Sequence, residues 1–297
     1  MAVCEPGRRN MIYREFAKTG FKASAIGMGT YYDPLWIGIA SILRIKRGKR
    51  TKIDALRTGL EHGINLIDTA EFYQSEPIVG EAIRSFRRDD IFLATKVSFP
   101  WNFSRDGVVK ACERSIRRMN SGYIDLYQLH FPFRFGKIAE IMKGMEFLLK
   151  EGKVRAIGVS NFSLSQMQSA EATLSKAEIS SNQMDYSLLH RQPEADLLPY
   201  CEANRKALIA YFPLAHGKLA TVDRGVMQEV RKRTGATSTS QIALNWIVKR
   251  SPVTFAIPRA SRPERVLLNS KATDFELGED DMRALDGVSP LPTAIKH

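Results

Sequence analysis

The stretch "INLIDTAEFYQSE", residues 64–76, passes from apolar residues into Asp68 and reaches Tyr73 five positions on, just before Ser75 and Glu76. A short apolar run that stops on a carboxylate and is followed by helix-start residues has the form of a strand, a loop and a helix in succession. The same form recurs along the chain. Strand candidates are "ASAIGMGTYY" from Ala23, "NLIDTA" from Asn65, "IFLATK" from Ile91, "IDLYQLH" from Ile124, "RAIGVSN" from Arg155, "EISSNQMDYS" from Glu178, "ALIAYFPL" from Ala207 and "VTFAIPR" from Val253, eight in all.

Between them lie segments such as "TKIDALRTGLEHG", "VVKACERSIRRMN", "IAEIMKGMEFLLKEGK" and "TSQIALNWIVKR", whose apolar residues recur at helical spacing and which tend to stop at Gly or Asn. Eight strand-then-helix units predict an α/β fold, a closed (β/α)8 TIM barrel; an open doubly wound sheet is expected to use fewer strands. No linker rich in Pro, Gly or Ser divides the chain, so residues 1–297 are expected to form a single domain. Within it, "MIYREFAKTGFK", about 11–22, is expected to be a hairpin over the barrel floor, and about 278–297 a closing helix and tail.

Functional groups in such barrels sit at the carboxyl ends of the strands, where the loops converge. Asp68 ends the second strand, Lys96 the third and His130 the fourth, with Tyr73 in the loop after the second. A carboxylate, an ammonium, a phenol and an imidazole in one mouth shift one another's ionisation. Lys96 is expected to favour the Tyr73 phenolate, making the phenol a usable proton donor, while Asp68 holds Lys96 in place. His130 is expected to donate a hydrogen bond to a bound carbonyl oxygen. Each residue alone has a duller role: Asp68 a helix cap, Lys96 a solvated lysine, His130 a satisfied histidine and Tyr73 packing.

The chain carries 44% hydrophobic residues and a formal net charge of +12. The densest basic run, "RIKRGKR" at 44–50, lacks the aromatic or zinc-ligand company of a nucleic-acid module, so no nucleic-acid partner is expected. Cys4, Cys112 and Cys201 are widely spaced and odd in number, which suits the reducing cytoplasm. No stretch approaches the length of a membrane span, and "MAVCEPGRRNMIYREF" lacks the apolar core of a secretion signal, so neither membrane nor export is expected.

Six strings in order, "LIDTAEFYQSE", "ATKV", "LYQLH", "GKVRAIGVSNFS", "NQMDYSLL" and "IPRASRPERV", resemble the aldo-keto reductase superfamily over most of the chain. The resemblance implies a barrel that transfers hydride from a nicotinamide cofactor to a small aldehyde or ketone, without metal, and a catalytic tetrad of Asp68, Tyr73, Lys96 and His130. It implies that Ser160, Asn161 and Gln183 bind the carboxamide and that the Tyr211 ring stacks on the nicotinamide. A carboxamide offers both donors and acceptors, which Ser, Asn and Gln side chains complement. Gly29, Thr30 and Tyr31 after the first strand, and Pro213, Leu214, His216 and Lys218 after the seventh, are implied to line the cofactor. Arg259, Ser261, Arg265 and Asn269 are implied to hold the adenosine 2′-phosphate and adenine, with Arg262 in reach. Guanidinium groups match phosphate oxygens, which favours NADP(H) over NAD(H).

The chain departs from the common pattern at Ala215, where many relatives carry Gly, and at Arg259, Ala260 and Leu268. These bear on cofactor grip. Two other roles stay open: a cofactor-sensing regulatory subunit with slow turnover, and a sugar or alcohol dehydrogenase. Trp36, Trp101, Phe72, Phe131 and Tyr31 are candidates for the substrate pocket, and 33–49 is longer than a bare strand-to-helix link needs. Neither the physiological substrate nor the oligomeric state is legible.

Overall fold

A computed structural model of the protein describes residues 11–32, 48–98, 104–132, 138–220 and 224–289. Trp36, Trp101, most of the 33–49 and 44–50 segments, and the tail from 290 lie outside the described residues. The strands are β1 (Tyr13–Glu15), β2 (Lys22–Ser24), β3 (Met28–Gly29), β4 (Leu66–Asp68), β5 (Phe92–Val97), β6 (Ile124–Leu129), β7 (Val154–Ser160), β8 (Ile179–Asp185), β9 (Ala207–Tyr211) and β10 (Thr254–Ala256). The α-helices are α1 (Lys49–Glu61), α2 (Glu76–Ile83), α3 (Arg105–Met119), α4 (Ile138–Lys150), α5 (Leu164–Glu171), α6 (Leu197–Ala203), α7 (Arg224–Thr234), α8 (Thr239–Arg250), α9 (Pro263–Ser270) and α10 (Glu279–Asp286).

Strands β3 to β10 form one parallel sheet of eight in chain order. Its two ends meet: Ile26 bridges Ala256 and Gly29 bridges Arg259, both parallel, so the sheet closes into the (β/α)8 barrel. Gly29 matters at this seam. Its N–H donates to Pro258 O and its carbonyl accepts from Ala260, and a side chain there would meet Ile257 O at 2.8 Å. The first barrel strand begins later than "ASAIGMGTYY" predicts, because Ala23 and Ser24 pair with β1 in the floor hairpin. Ser24 Oγ then donates to Ile26 O, turning the chain from hairpin into barrel.

The hairpin has a structural task that the period-two alternation of strands explains. Inward positions near the floor are apolar: Leu66, Phe92, Ala94, Leu126, Ala156, Ala207, Ile209 and Phe255 form one buried cluster with Phe16. The Phe16 ring lies 4.3 Å from Phe92 and 5.0 Å from Phe255, so the hairpin plugs the barrel from below. Continuing each inward row by twos toward the carboxyl ends turns it polar: Asp68 after Leu66, Lys96 after Ala94, Gln128 and His130 after Leu126, Ser160 two steps beyond Ala156. The mouth is thus polar above an apolar plug.

Outside the sheet a second core packs the helices, with α3 and α8 entered through the side-chain caps Ser104 and Ser238. No helix among the described residues is long and apolar enough to cross a membrane. Helix α2, which starts just beyond Tyr73, approaches the end of α3 closely. A Cβ on Gly80 would meet Met119 O at 2.5 Å and Met119 Cα at 2.7 Å. Backbone atoms yield little, so overpacking outweighs the gain in helix propensity: Gly80→Ala is expected to lower unfolding free energy by about 1–3 kcal/mol. Urea denaturation of the two proteins measures it.

Candidate active site

At the mouth, inward polar residues of β5, β6 and β8 converge on the carboxylate of Asp68 at the end of β4. Asp68 Oδ1 accepts from Lys96 Nζ at 2.5 Å, and Oδ2 accepts from Gln183 Nε2 at 2.9 Å and Gln128 Nε2 at 3.4 Å. Lys96 is fully buried and also donates to Thr69 O at 2.9 Å. Strand register brings these groups level, since Lys96 stands opposite Gln128 and Ser160 opposite Gln183.

Tyr73 rides on a single 3-10 turn, Glu71–Tyr73, which the left-handed Gln74 (φ 56°) ends. Side-chain interactions hold this turn at its start and beyond its end. Its first residue, Glu71, pairs with Arg114 at 3.1 Å; after it, Glu76 accepts from Arg118 Nε at 2.5 Å and Thr95 Oγ1 at 2.7 Å. Ser75 Oγ bonds Thr30 Oγ1 at 2.9 Å and Thr69 Oγ1 at 3.0 Å, tying the turn to the ends of β3 and β4. The Tyr73 hydroxyl therefore faces His130 Nε2 at 3.4 Å, and its ring centroid lies 5.0 Å from Lys96 Nζ.

The electrostatics differ from the expectation that Lys96 draws the phenol toward ionisation. Burial, then the Asp68 charge, push the Tyr73 phenol well above its usual range. The Lys96 ammonium is turned to Asp68 and Thr69 rather than to the phenol oxygen. Burial pushes the Lys96 ammonium below its usual range, with Asp68 opposing. Burial, followed by the neighbouring Lys96 charge, pushes the His130 imidazole down to about 2. The resting mouth thus holds a protonated phenol beside a neutral imidazole.

Ser98 is a residue that motif reading missed. Its Oγ lies 2.7 Å from His130 Nδ1. The signal was there in the period of two, since Ser98 extends the inward row of Ala94 and Lys96. Gln128, at Asp68, was missed in the same way.

The residues singled out for the carboxamide join this network. Ser160 Oγ donates to Gln183 O at 3.0 Å, Asn161 Nδ2 donates to His130 O at 3.1 Å, and the Tyr211 hydroxyl donates to Asn161 Oδ1 at 2.7 Å. Aromatic rings line the rim. Phe131 stacks on His130 at 4.3 Å and 10°, Tyr31 lies 4.9 Å from Tyr73, and Phe72 and Phe131 are exposed.

After β9 the chain makes a strap in which Phe212 (φ 46°), Ala215 (φ 47°), His216 (φ 55°) and Gly217 (φ 84°) all take left-handed backbone. Position 215 is one that favours glycine, which gives the Ala215 departure its physical meaning. Pro213 is buried, Leu214 half-buried, and His216 and Lys218 exposed on this strap. Beyond β10, Arg259 donates to Tyr32 O at 3.1 Å, Arg262 stands at the N-cap position of α9 without a side-chain cap bond, and Arg265 lies in its first turn. All three are exposed, and no carboxylate among the described residues pairs with them. Ser261 is half-buried and Asn269 buried beside them. Among the described residues, no hydrogen bond or ion pair joins this arginine group to Asp68, Tyr73, Lys96 or His130.

Comparison with known proteins agrees with this geometry. The model of the aldo/keto reductase family matches residues 35–290. Methylglyoxal reductase YeaE of Escherichia coli is 36% identical over 274 residues, covering 90% of this chain and 92% of that protein. Glyoxal reductase of Bacillus subtilis is 31% identical over 260 residues, covering 86% and 88%. An aldo-keto reductase from Klebsiella pneumoniae, crystallised with NADPH, superposes with a TM-score of 0.83 at 33% identity, covering 95% of this chain and 96% of that one. With its closed eight-stranded sheet and a family match over most of its length, this chain belongs to the aldo/keto reductase family.

Proposed function

We propose that the protein is an NADP(H)-dependent reductase of small aldehydes and ketones, with Asp68, Tyr73, Lys96 and His130 as its catalytic groups and residues 1–297 working as one domain. Reactive 2-oxoaldehydes are the substrate class we favour, because two relatives are named for methylglyoxal and glyoxal. The observation that carries the proposal is the Tyr73 hydroxyl set 3.4 Å from His130 Nε2, beside the buried Lys96–Asp68 pair. Two buried thiols, Cys112 and Cys201, suit work in the reducing cytoplasm.

The residues fit the cofactor at both ends. Three exposed guanidinium groups that pair with no carboxylate among the described residues suit a phosphate, and Ser160, Asn161 and Gln183 supply donors and acceptors for a carboxamide. When bound, the nicotinamide supplies the hydride for the carbonyl carbon. His130 and Tyr73 both direct polar hydrogens at the carbonyl oxygen, which gains negative charge in the transition state. Tyr73 then gives up its proton to that oxygen, and the nearby Lys96 ammonium steadies the phenolate left behind. Asp68 keeps Lys96 in place, and the two glutamines hold Asp68.

Titration with NADPH and NADH by fluorescence quenching, followed by methylglyoxal while nicotinamide absorbance is monitored, tests the proposal. Tight NADPH binding with steady oxidation is expected. Binding without turnover favours a regulatory, cofactor-sensing role, and no binding overturns the proposal. A companion expectation concerns the arginines. Charge-assisted hydrogen bonds contribute about 1.5–3 kcal/mol each, so Arg265→Ala is expected to weaken NADPH binding by about 10–100-fold and NADH binding far less. Equal weakening of both would remove Arg265 from the 2′-phosphate.

A further inference from the structure

We propose that Ser98 is a positioning residue that holds His130 in the tautomer bearing its proton on Nε2, the nitrogen turned toward the Tyr73 hydroxyl; this deepens the reductase proposal above and rests on it. A neutral imidazole has one N–H and one lone pair, and the group bonded to one nitrogen decides which the other presents. His130 presents its nitrogens in two directions, Nε2 to Tyr73 at 3.4 Å and Nδ1 to Ser98 Oγ at 2.7 Å. Among the described residues, Ser98 is the one hydrogen-bond partner of Nδ1, and Nδ1 the one partner of the Ser98 hydroxyl.

The tautomer matters more than the charge here, because burial and Lys96 keep the ring neutral. With the proton on Nδ1, Nε2 would turn a lone pair toward an oxygen that is becoming negative. With Ser98 donating to Nδ1, Nε2–H is a donor at the place where charge develops. The two bonds reinforce each other, since donation from Nε2–H enriches the ring and makes Nδ1 a better acceptor.

Packing fixes the ring plane as well. Phe131 stacks on one face at 4.3 Å, and His130 N donates to Val97 O at 3.2 Å, lacing the end of β6 to that of β5. That lacing places Ser98, one residue beyond Val97, alongside the ring. No proton is transferred at Ser98; its hydroxyl hydrogen stays on oxygen throughout.

Long-range proton–nitrogen NMR of the full chain with isotope-labelled histidine reads the tautomer directly, with His130 assigned by the signal lost in His130→Gln. The wild type is expected to show a protonated Nε2 and a lone pair on Nδ1. Ser98→Ala is expected to populate the other tautomer and lower kcat by about 10–100-fold, as loss of an orienting partner does at metal-bound histidines, with the NADPH dissociation constant unchanged. Ser98→Thr, which keeps the hydroxyl, is expected to restore both. A wild-type proton on Nδ1 overturns the proposal; so does Ser98→Ala with an unchanged tautomer or with undiminished kcat. If Ser98→Ala does not fold, the wild-type and Ser98→Thr spectra still decide. Failure of the reductase proposal itself is separate: it appears as absent NADPH binding or absent turnover in the wild type, whatever the tautomer.

Discussion

Tyr73→Phe is expected to lower kcat for aldehyde reduction by about 10²–10⁴-fold, the contribution of a well-placed general acid, while NADPH binds almost as before. The substitution removes one oxygen. Its only hydrogen bond among the described residues is the 3.4 Å contact to His130, so neither the turn nor the barrel loses a support. The turn is held instead by Glu71, Ser75 and Glu76 through Arg114, Thr30, Thr69, Thr95 and Arg118. The phenyl ring keeps its place against Tyr31 and over Lys96. Single-turnover kinetics at saturating NADPH give the measurement, and undiminished turnover would sink the assignment of Tyr73.

The ionisation of the site adds a pH signature to that result. His130, pushed down to about 2, is neutral throughout the working range, so reduction is expected to show no inflection near the ordinary histidine range. The Tyr73 phenol is pushed well above its usual range, and the proposed proton transfer needs its protonated form. The rate of reduction is therefore expected to stay flat through neutral pH and fall only in strongly alkaline solution. A profile of kcat against pH with an inflection between about 6 and 7, the ordinary histidine range, would assign the titrating group elsewhere.

How much of this was legible beforehand follows from what each residue's neighbours are. Asp68, Lys96 and His130 were visible because a strand's period is local, so the step from Leu66 to Asp68 or from Ala94 to Lys96 needs no knowledge of other strands. Ser98 obeys the same period. It stayed hidden because serine at a strand end is common, and only the lacing of β5 to β6 brings it to the imidazole. The direction of the Tyr73 shift was misjudged for a related reason. Sequence places Lys96 near the phenol, but not which acceptors its ammonium takes, and Asp68 and Thr69 lie nearer. The late start of the first barrel strand turns on one tertiary choice, the pairing of Lys22–Ser24 with β1, which an apolar run cannot reveal.

Lys96→Met separates what the buried ion pair does for the fold from what it does for the chemistry. Lys96 and Asp68 side chains are 0% and 3% exposed, so removing the cation leaves a carboxylate whose side-chain donors among the described residues are Gln183 and Gln128. Breaking such a pair on one side costs about 3–5 kcal/mol, and the unfolding free energy of Lys96→Met is expected to fall by that amount. Asp68→Asn in the same background removes the stranded charge. A buried pair replaced on both sides by neutral groups is commonly close to neutral in stability, so the double variant is expected to regain most of the loss. Its kcat is expected to stay low, because no cation remains beside the phenolate that Tyr73 becomes. Denaturation and kinetics on the same three proteins provide the test. If activity returned along with stability, the pair would be a structural support alone, and Tyr73 would need no counter-charge.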